Sequence, residues 1–305
     1  MRLDIARRAC LLLVTALLAP WSLPAGAQSD TAPRGFLWEA TRGRERVLLF
    51  GSMHVGRADA AAGRRAEPPG WRNVQVFAFE ANVFDAQATL AATRRWAMYA
   101  DGDAGLEAQV DAATLARIDK AGAQLGGGAA LCCRMKPWML ANTLGLLEAM
   151  RAGLNPAYGS EAQIYELALA SHRPIVEIEG IDEQLRLFDE APATVQIDYL
   201  RHTLEAIESG ASRAEIERLL TAWDRGDEAA MERLVAEMTR GDRAAQRFVA
   251  DRILRDRHPK MVAAIERYAA SERLHLVVIG ALHYFGPEGL LQLLRSRGYV
   301  LTRLQ

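Results

Sequence analysis

Residues Val47–Gly56 read VLLFGSMHVG, and residues Val277–Gly286 read VVIGALHYFG. Each is an aliphatic run, then Gly-x-x-His, then further apolar residues and a glycine. The two histidines, His54 and His283, stand 229 positions apart. A short, uninterrupted apolar run rich in β-branched residues is the pattern of a strand buried on both faces, as in parallel sheets. A glycine directly after such a strand allows a tight turn with positive φ and close backbone approach. The side chain three residues later can then fold back over the sheet edge. Two strands ending this way predict that the two imidazoles share one end of one sheet.

The remaining elements follow outward from these runs. GFLWEA (Gly35–Ala40) and RVLLF (Arg46–Phe50) flank the polar TRGRE, a hairpin pattern. NVQVFAFEANV (Asn73–Val83) reads as a third core strand ending near Glu80, and PIVEIEG (Pro174–Gly180) as a fourth ending on Glu179. Apolar residues at three-and-four spacing predict helices near 86–100, 104–125, 131–152 and 160–172, the last opened by the capping pattern Ser160-x-x-Gln163. A charged helical stretch runs from Asp182 to Ala270, broken at Pro192, Gly210, Gly226, Gly241 and Pro259. LHLVVIG (Leu274–Gly280) is the last core strand. After it, GPEGLLQLLRSRG predicts a helix with Pro287 in its first turn and Gly298 past its end, and YVLTRL closes the chain as a strand. Strands alternating with helices around a helical middle predict an α/β fold. The expected form is a central mixed, largely parallel sheet with flanking helices and a helix-rich insertion at about 86–172 and 182–270, in one domain spanning 28–305.

Composition narrows the function. The first residues carry Arg2, Arg7 and Arg8, then an apolar run from Ala9 to Leu18, then Ala25-Gly26-Ala27. This is the layout of a secretory signal peptide, with cleavage expected after Ala27. The apolar run is well short of the ~20 residues that span a bilayer, so no integral membrane segment is expected after cleavage. A periplasmic or secreted location follows. Removing residues 1–27 leaves 34 basic and 37 acidic residues, a net charge of −3. That balance, without a Lys/Arg run, argues against nucleic acid or an anionic membrane as partner. Only Cys132 and Cys133 then remain. Adjacent cysteines lie outside the usual disulfide spacing, so small apolar packing is the first reading and a redox or metal role the second.

Four predicted strand ends carry chemistry: His54, Glu80, Glu179 and His283. Ligands of open α/β sheets bind outside the carboxyl ends of the strands, where loops diverge. Two imidazoles and one or two carboxylates there form a plausible site for a divalent cation, which would supply a hydroxide nucleophile by acidifying a bound water. Without a metal the same residues form a general acid–base pair. The helix expected at Pro287 would add an N-terminus that favours an anionic group. Ser52 is a third option, a nucleophile beside His54, supported only by proximity. His172, His202, His258 and His275 sit in helical or mid-strand contexts and read as structural. No H-E-x-x-H, G-x-S-x-G or P-loop is present.

The chain resembles the TraB/GumN family, which groups with the TIKI proteases and more distantly with erythromycin-esterase-like and ChaN-like proteins. The resemblance runs through LFGSMHVG, AFEANV, KPWML (Lys136–Leu140), GSEAQIYELALASHRPIVEIEGIDEQL (Gly159–Leu185), WDRGD (Trp223–Asp227), RDRHPKM (Arg255–Met261) and IGALHYFGPEGLLQLLRSRGYVLTRL (Ile279–Leu304). It implies an erythromycin-esterase/ChaN-like α/β fold with His54, Glu80 and His283 in the active site. Arg257 matches the family's Arg-Asn pair, with His258 in place of the Asn, and is expected to hold an anionic substrate group or oxyanion. TIKI members are described as proteases dependent on Mn or Co. The expected function is therefore a metal-dependent hydrolase of the cell envelope, protease- or amidase-like, with Mn, Co or Zn held by His54, Glu80, Glu179 and His283. Its substrate would be a peptide or a small molecule. Two other readings stand beside it: a non-catalytic envelope binding protein for peptide, haem or saccharide, and a metal-free esterase using His54 with Glu80.

Overall fold

The computed structural model describes residues 35–58, 68–125 and 134–305. Residues 1–27, read as a signal peptide, and the Cys132-Cys133 pair lie outside the described residues. Among the described residues eight strands are formed: β1 (Phe36–Arg42), β2 (Glu45–Ser52), β3 (Gly56–Arg57), β4 (Val76–Phe79), β5 (Leu154–Asn155), β6 (Ile175–Glu177), β7 (His275–Gly280) and β8 (Val300–Arg303). Six of them make one sheet in the order β6-β4-β7-β2-β1-β8, and β3 pairs with β5 alone. Strands β6, β4, β7 and β2 run parallel, while β1 is antiparallel to both β2 and β8. The fold is thus α/β with a mixed, largely parallel sheet flanked by helices, as expected.

The order of the strands explains the repeated motif. Although β7 comes near the end of the chain, it inserts between β2 and β4, with Ser52 opposite Gly280 and Phe79 opposite Val278. The loops carrying His54 and His283 therefore leave the same sheet edge side by side. The central strands have no solvated face, and their sequences are continuous apolar runs for that reason: Val47–Phe50, Val76–Phe79 and His275–Ile279 are all buried.

The role expected for the two motif glycines needs correction. Neither Gly51 nor Gly280 adopts a positive φ, and Gly280 is extended at φ −50° and ψ 132°. What matters is the missing side chain. A Cβ at Gly51 would stand 3.2 Å from Phe36 Cβ and 3.4 Å from Ala281 Cα.

Two more expectations shift. The third and fourth core strands are shorter than their apolar runs, four and three residues long. The last helix begins at Leu290 rather than Pro287, because Gly286–Gly289 closes as a turn with Gly289 N–H on the Gly286 carbonyl at 3.0 Å. The anion-favouring N-terminus expected at Pro287 is not formed there.

The helical middle divides between two cores. Leu106, Ile118, Leu140, Leu144, Leu200 and Leu204 form a separate helical cluster from the short turn 106–108 and the segments 112–124, 137–151 and 193–209. Later helices return to the sheet: Leu220, Trp223, Met231, Leu234, Met261 and Ile265 belong to the main core.

Candidate functional site

His54 is positioned from two sides. The Trp223 indole donates to the Gly51 carbonyl at 2.7 Å and fixes the end of β2. One residue before His54, the Met53 N–H donates to Ser160 Oγ at 2.8 Å, at the start of the helix Ser160–Ala170. This close crossing requires a glycine: a Cβ at Gly159 would lie 2.6 Å from the His54 carbonyl oxygen and 2.8 Å from that of Met53. Gly159→Ala is expected to cost about 1–3 kcal/mol through overpacking. Gly145→Ala, whose Cβ would meet nothing within 4 Å, should be neutral or stabilise by up to about 1 kcal/mol, since it lies within a helix. Urea denaturation of both variants checks this, and equal effects would remove the steric argument.

The next residue on that helix, Glu161, is buried and bonds His54 Nδ1. About two-thirds of the His54 side chain remains open to solvent. The Glu161 carboxylate is the main cause that raises the His54 pKa, to about 9, against a smaller opposing effect of burial. His54 is therefore an imidazolium at neutral pH, with Nε2 directed away from Glu161.

Glu80, Glu179 and Arg257 form the buried floor. Arg257 follows a π-helical turn at Val249–Leu254 and a 3-10 turn at Arg255–Arg257, irregular backbone of the kind that often marks functional positions. Its Nε donates to both oxygens of Glu179, at 3.2 and 3.1 Å. One terminal nitrogen donates to Glu179 at 2.5 Å and also to Glu80. The other donates to the Ile253 carbonyl at 3.1 Å and faces His283 Nε2 at 3.3 Å. Gln184 adds a bond of 2.8 Å to Glu80 Oε1 and one of 3.3 Å to Glu179. The second Glu80 oxygen accepts from the Gly280 N–H at 3.1 Å. Burial alone would raise the Glu80 carboxyl; Arg257, then His283, His54 and Gly280, outweigh it and hold it at about 2.

His283 differs from its counterpart in exposure and in charge. It is 5% exposed, and Tyr284 and Phe285 behind it pack on Trp38 and Phe36, which draws the loop into the core. Its Nδ1 lies 3.1 Å from His258 Nε2, and His258 Nδ1 lies 2.7 Å from the Glu288 carbonyl. A carbonyl only accepts, so His258 carries its proton on Nδ1 and accepts at Nε2. His283 must then donate from Nδ1, which leaves its lone pair on Nε2, facing Arg257. Burial first, then the neighbouring positive charge of Arg257, lowers the His283 pKa to about 3 against the pull of Glu80. His283 is neutral and serves as an acceptor.

Three of these side chains meet at one point. A Cβ built on Gly280 would lie 3.6 Å from Glu80 Oε2, 3.7 Å from His283 Cδ2 and 3.9 Å from His54 Nε2. The structure thus brings His54, Glu80 and His283 together over Gly280, with Arg257 and Glu179 on the far side of Glu80. It does not assemble the expected four-ligand metal set. Among the described residues no three His, Cys, Asp or Glu side chains gather at ligand spacing. Glu179 has both oxygens on Arg257, Glu80 shares one with Arg257 and Gln184, and His283 Nε2 faces the same guanidinium. As arranged, these residues do not fit a metal. The Arg257 donors, expected to hold a substrate anion, are engaged on Glu80, Glu179, Ile253 and His283. Ser52 is buried, and its hydroxyl bonds neither His54 nor any other group.

Sequence reasoning missed Glu161, Gln184 and His258. The first two sit in segments that carry the resemblance, but their partners lie 107 and 104 positions away, so local pattern did not single them out. For His258 a signal existed: it replaces the family's Asn next to Arg257, and a replacement that keeps a hydrogen-bonding ring beside a key arginine deserved a role.

The pattern of the TraB/PrgY/gumN family matches residues 36–303. The Escherichia coli (strain K12) protein named Uncharacterized protein YbaP is 23% identical over 150 residues, 49% of this chain and 54% of the relative. The Shigella flexneri protein of that name matches with the same identity and coverage. The chain thus spans about half the length of the curated relatives it matches. No solved structure matches.

Proposed function

The chain belongs to the TraB/PrgY/gumN family, and from that premise we propose that it is a hydrolase of the cell envelope, periplasmic or secreted, cleaving a peptide or amide bond with His54 as the proton-carrying group. The observation that carries the reading is the meeting of Glu80 Oε2 and His54 Nε2 over Gly280, each within 4 Å of one point. A water seated there would give one hydrogen bond to Glu80 and its proton to the deprotonated fraction of His54, a fraction that grows as pH rises toward about 9, as its oxygen adds to the substrate carbonyl. The new C–O bond forms, the imidazolium is stabilised by Glu161, and the same proton passes to the leaving nitrogen as the C–N bond breaks. Arg257 and Gln184 fix Glu80, and the His283–His258 pair sits against Arg257.

A metal-dependent version of this hydrolysis, implied by the resemblance, is the second reading. In its favour, both imidazoles engage Nδ1 and turn Nε2 toward the site, as metal-ligating histidines do. It requires Arg257 to release Glu80 and Glu179 first. The two readings separate on a panel of peptide, amide and ester substrates assayed with and without EDTA. Turnover that persists in chelator is expected. Loss of activity in EDTA with recovery on Mn or Co addition would establish the metal version. Ligand-dependent thermal stabilisation without product from any substrate would identify a binding protein instead.

A further inference from the structure

The groups around Arg257 are the kinds that a divalent cation selects. Two carboxylates and one imidazole lone pair converge on a single positive centre, and carboxylate oxygen with imidazole nitrogen suits Mn, Zn or Co. Here that centre is a guanidinium. Its five hydrogens face Glu80, both oxygens of Glu179, the Ile253 carbonyl and His283 Nε2. The relay through His258 to the Glu288 carbonyl fixes the His283 lone pair on the side of the guanidinium. These contacts are buried: the Arg257, Glu80, Glu179 and His283 side chains are exposed by only 10, 9, 3 and 6%. A metal placed among these ligands would meet a fixed positive charge in the space it needs.

We infer that the Arg257 guanidinium is the resident cation of this site, filling the place where the sequence pattern leads one to expect a metal, and that removing it leaves Glu80, Glu179 and His283 as a divalent-cation site. The inference rests on the metal-free reading of the site, but its test needs no turnover. Metal-stripped protein is titrated with MnCl2 and with ZnCl2, and bound ion is followed by electron paramagnetic resonance, calorimetry and thermal melting. The wild type should show no stoichiometric binding and no shift in Tm. Arg257→Met should bind one ion per chain, more tightly than wild type by over about tenfold, since a neighbouring like charge has gone. Its Tm should rise as metal is added, and the double variant Arg257→Met/His283→Ala should lose most of that gain.

Stoichiometric binding by the wild type that disappears in His283→Ala would overturn the inference, because the ion and not the arginine would then hold the carboxylates. A folded Arg257→Met variant that binds no better than wild type would overturn it equally. Should Arg257→Met fail to fold even with metal, the wild-type titration and Arg257→Lys still decide: a bound ion in either, sensitive to Glu80→Gln, rejects the inference, and none in both supports it. Hydrolysis assayed on the same samples separates this result from the fate of the proposed function, since an inactive protein can still pass or fail the metal titration.

Discussion

Replacing His54 with Asn is expected to lower kcat/KM for hydrolysis by roughly 10²–10⁴-fold, the usual contribution of a positioned acid–base group. The fold should survive, because most of the His54 side chain is solvent-exposed and its neighbours are held by Trp223 and Ser160. Glu161→Gln tests the same proposal more finely. With Glu161 in place, His54 holds its proton up to about pH 9, so the neutral base form grows as pH rises through that range. Removing the carboxylate charge takes away the main cause of the raised value, and the midpoint of the kcat/KM profile should move down toward the ordinary histidine range near 6.5. Glu161→Gln should therefore lose less at neutral pH than His54→Asn. A pH profile unchanged by Glu161→Gln would mean that His54 is not the titrating group, and retention of full activity in His54→Asn would end the hydrolytic proposal in this form.

The two Gly-x-x-His copies occupy equivalent places on adjacent strands yet do different work. The difference comes from what packs behind each loop. Behind His54 stand a buried carboxylate and open solvent, so the ring is charged and accessible. Behind His283 stand His258 and the aromatic core of Trp38, Tyr284 and Phe285, so the ring is neutral and enclosed. A symmetric pair of metal ligands was the natural reading of a repeated motif, since repetition in sequence carries no information on the residues that face it.

Legibility followed the range of the interactions. The runs VLLF and LVVI announced buried parallel strands because burial on both faces leaves no polar alternation to hide them. The hairpin was visible from TRGRE for a similar local reason: its turn chemistry is contained in a few residues. Glu80 and Glu179 could be placed at strand ends, though the strands themselves are shorter than their apolar runs. The insertion of β7 between β2 and β4 was not visible, because strand order is set by contacts about two hundred residues apart. Nor was the engagement of Arg257, since a guanidinium after a helical stretch reads the same whether its five donors meet substrate or protein. The GPEG segment misled through its proline, which here belongs to a turn that precedes the helix.

Arg257→Met is expected to destabilise the protein by about 3–5 kcal/mol near neutral pH in buffer containing chelator, because two buried carboxylates lose their counter-charge. The pH dependence fixes the sign. In the wild type Glu80 is held at about 2, below its unfolded value, so its contribution is complete above the unfolded pKa of about 4.3 and is lost as pH falls through that value toward 2. In the variant the burial that opposes ionisation remains while the largest lowering influence is gone, so the Glu80 pKa should rise above its unfolded value. Stability of Arg257→Met should then increase as pH falls from about 7 to about 5, where the carboxyl takes up a proton, while the wild type gains nothing from Glu80 over the same range. Urea denaturation at both pH values measures the gap. A variant within about 1 kcal/mol of wild type at neutral pH would show that the guanidinium is not what compensates these buried charges. A gap that widens on acidification would place the compensation in a group other than Glu80. Either result would remove the ground for treating Arg257 as the cation on which the site is built.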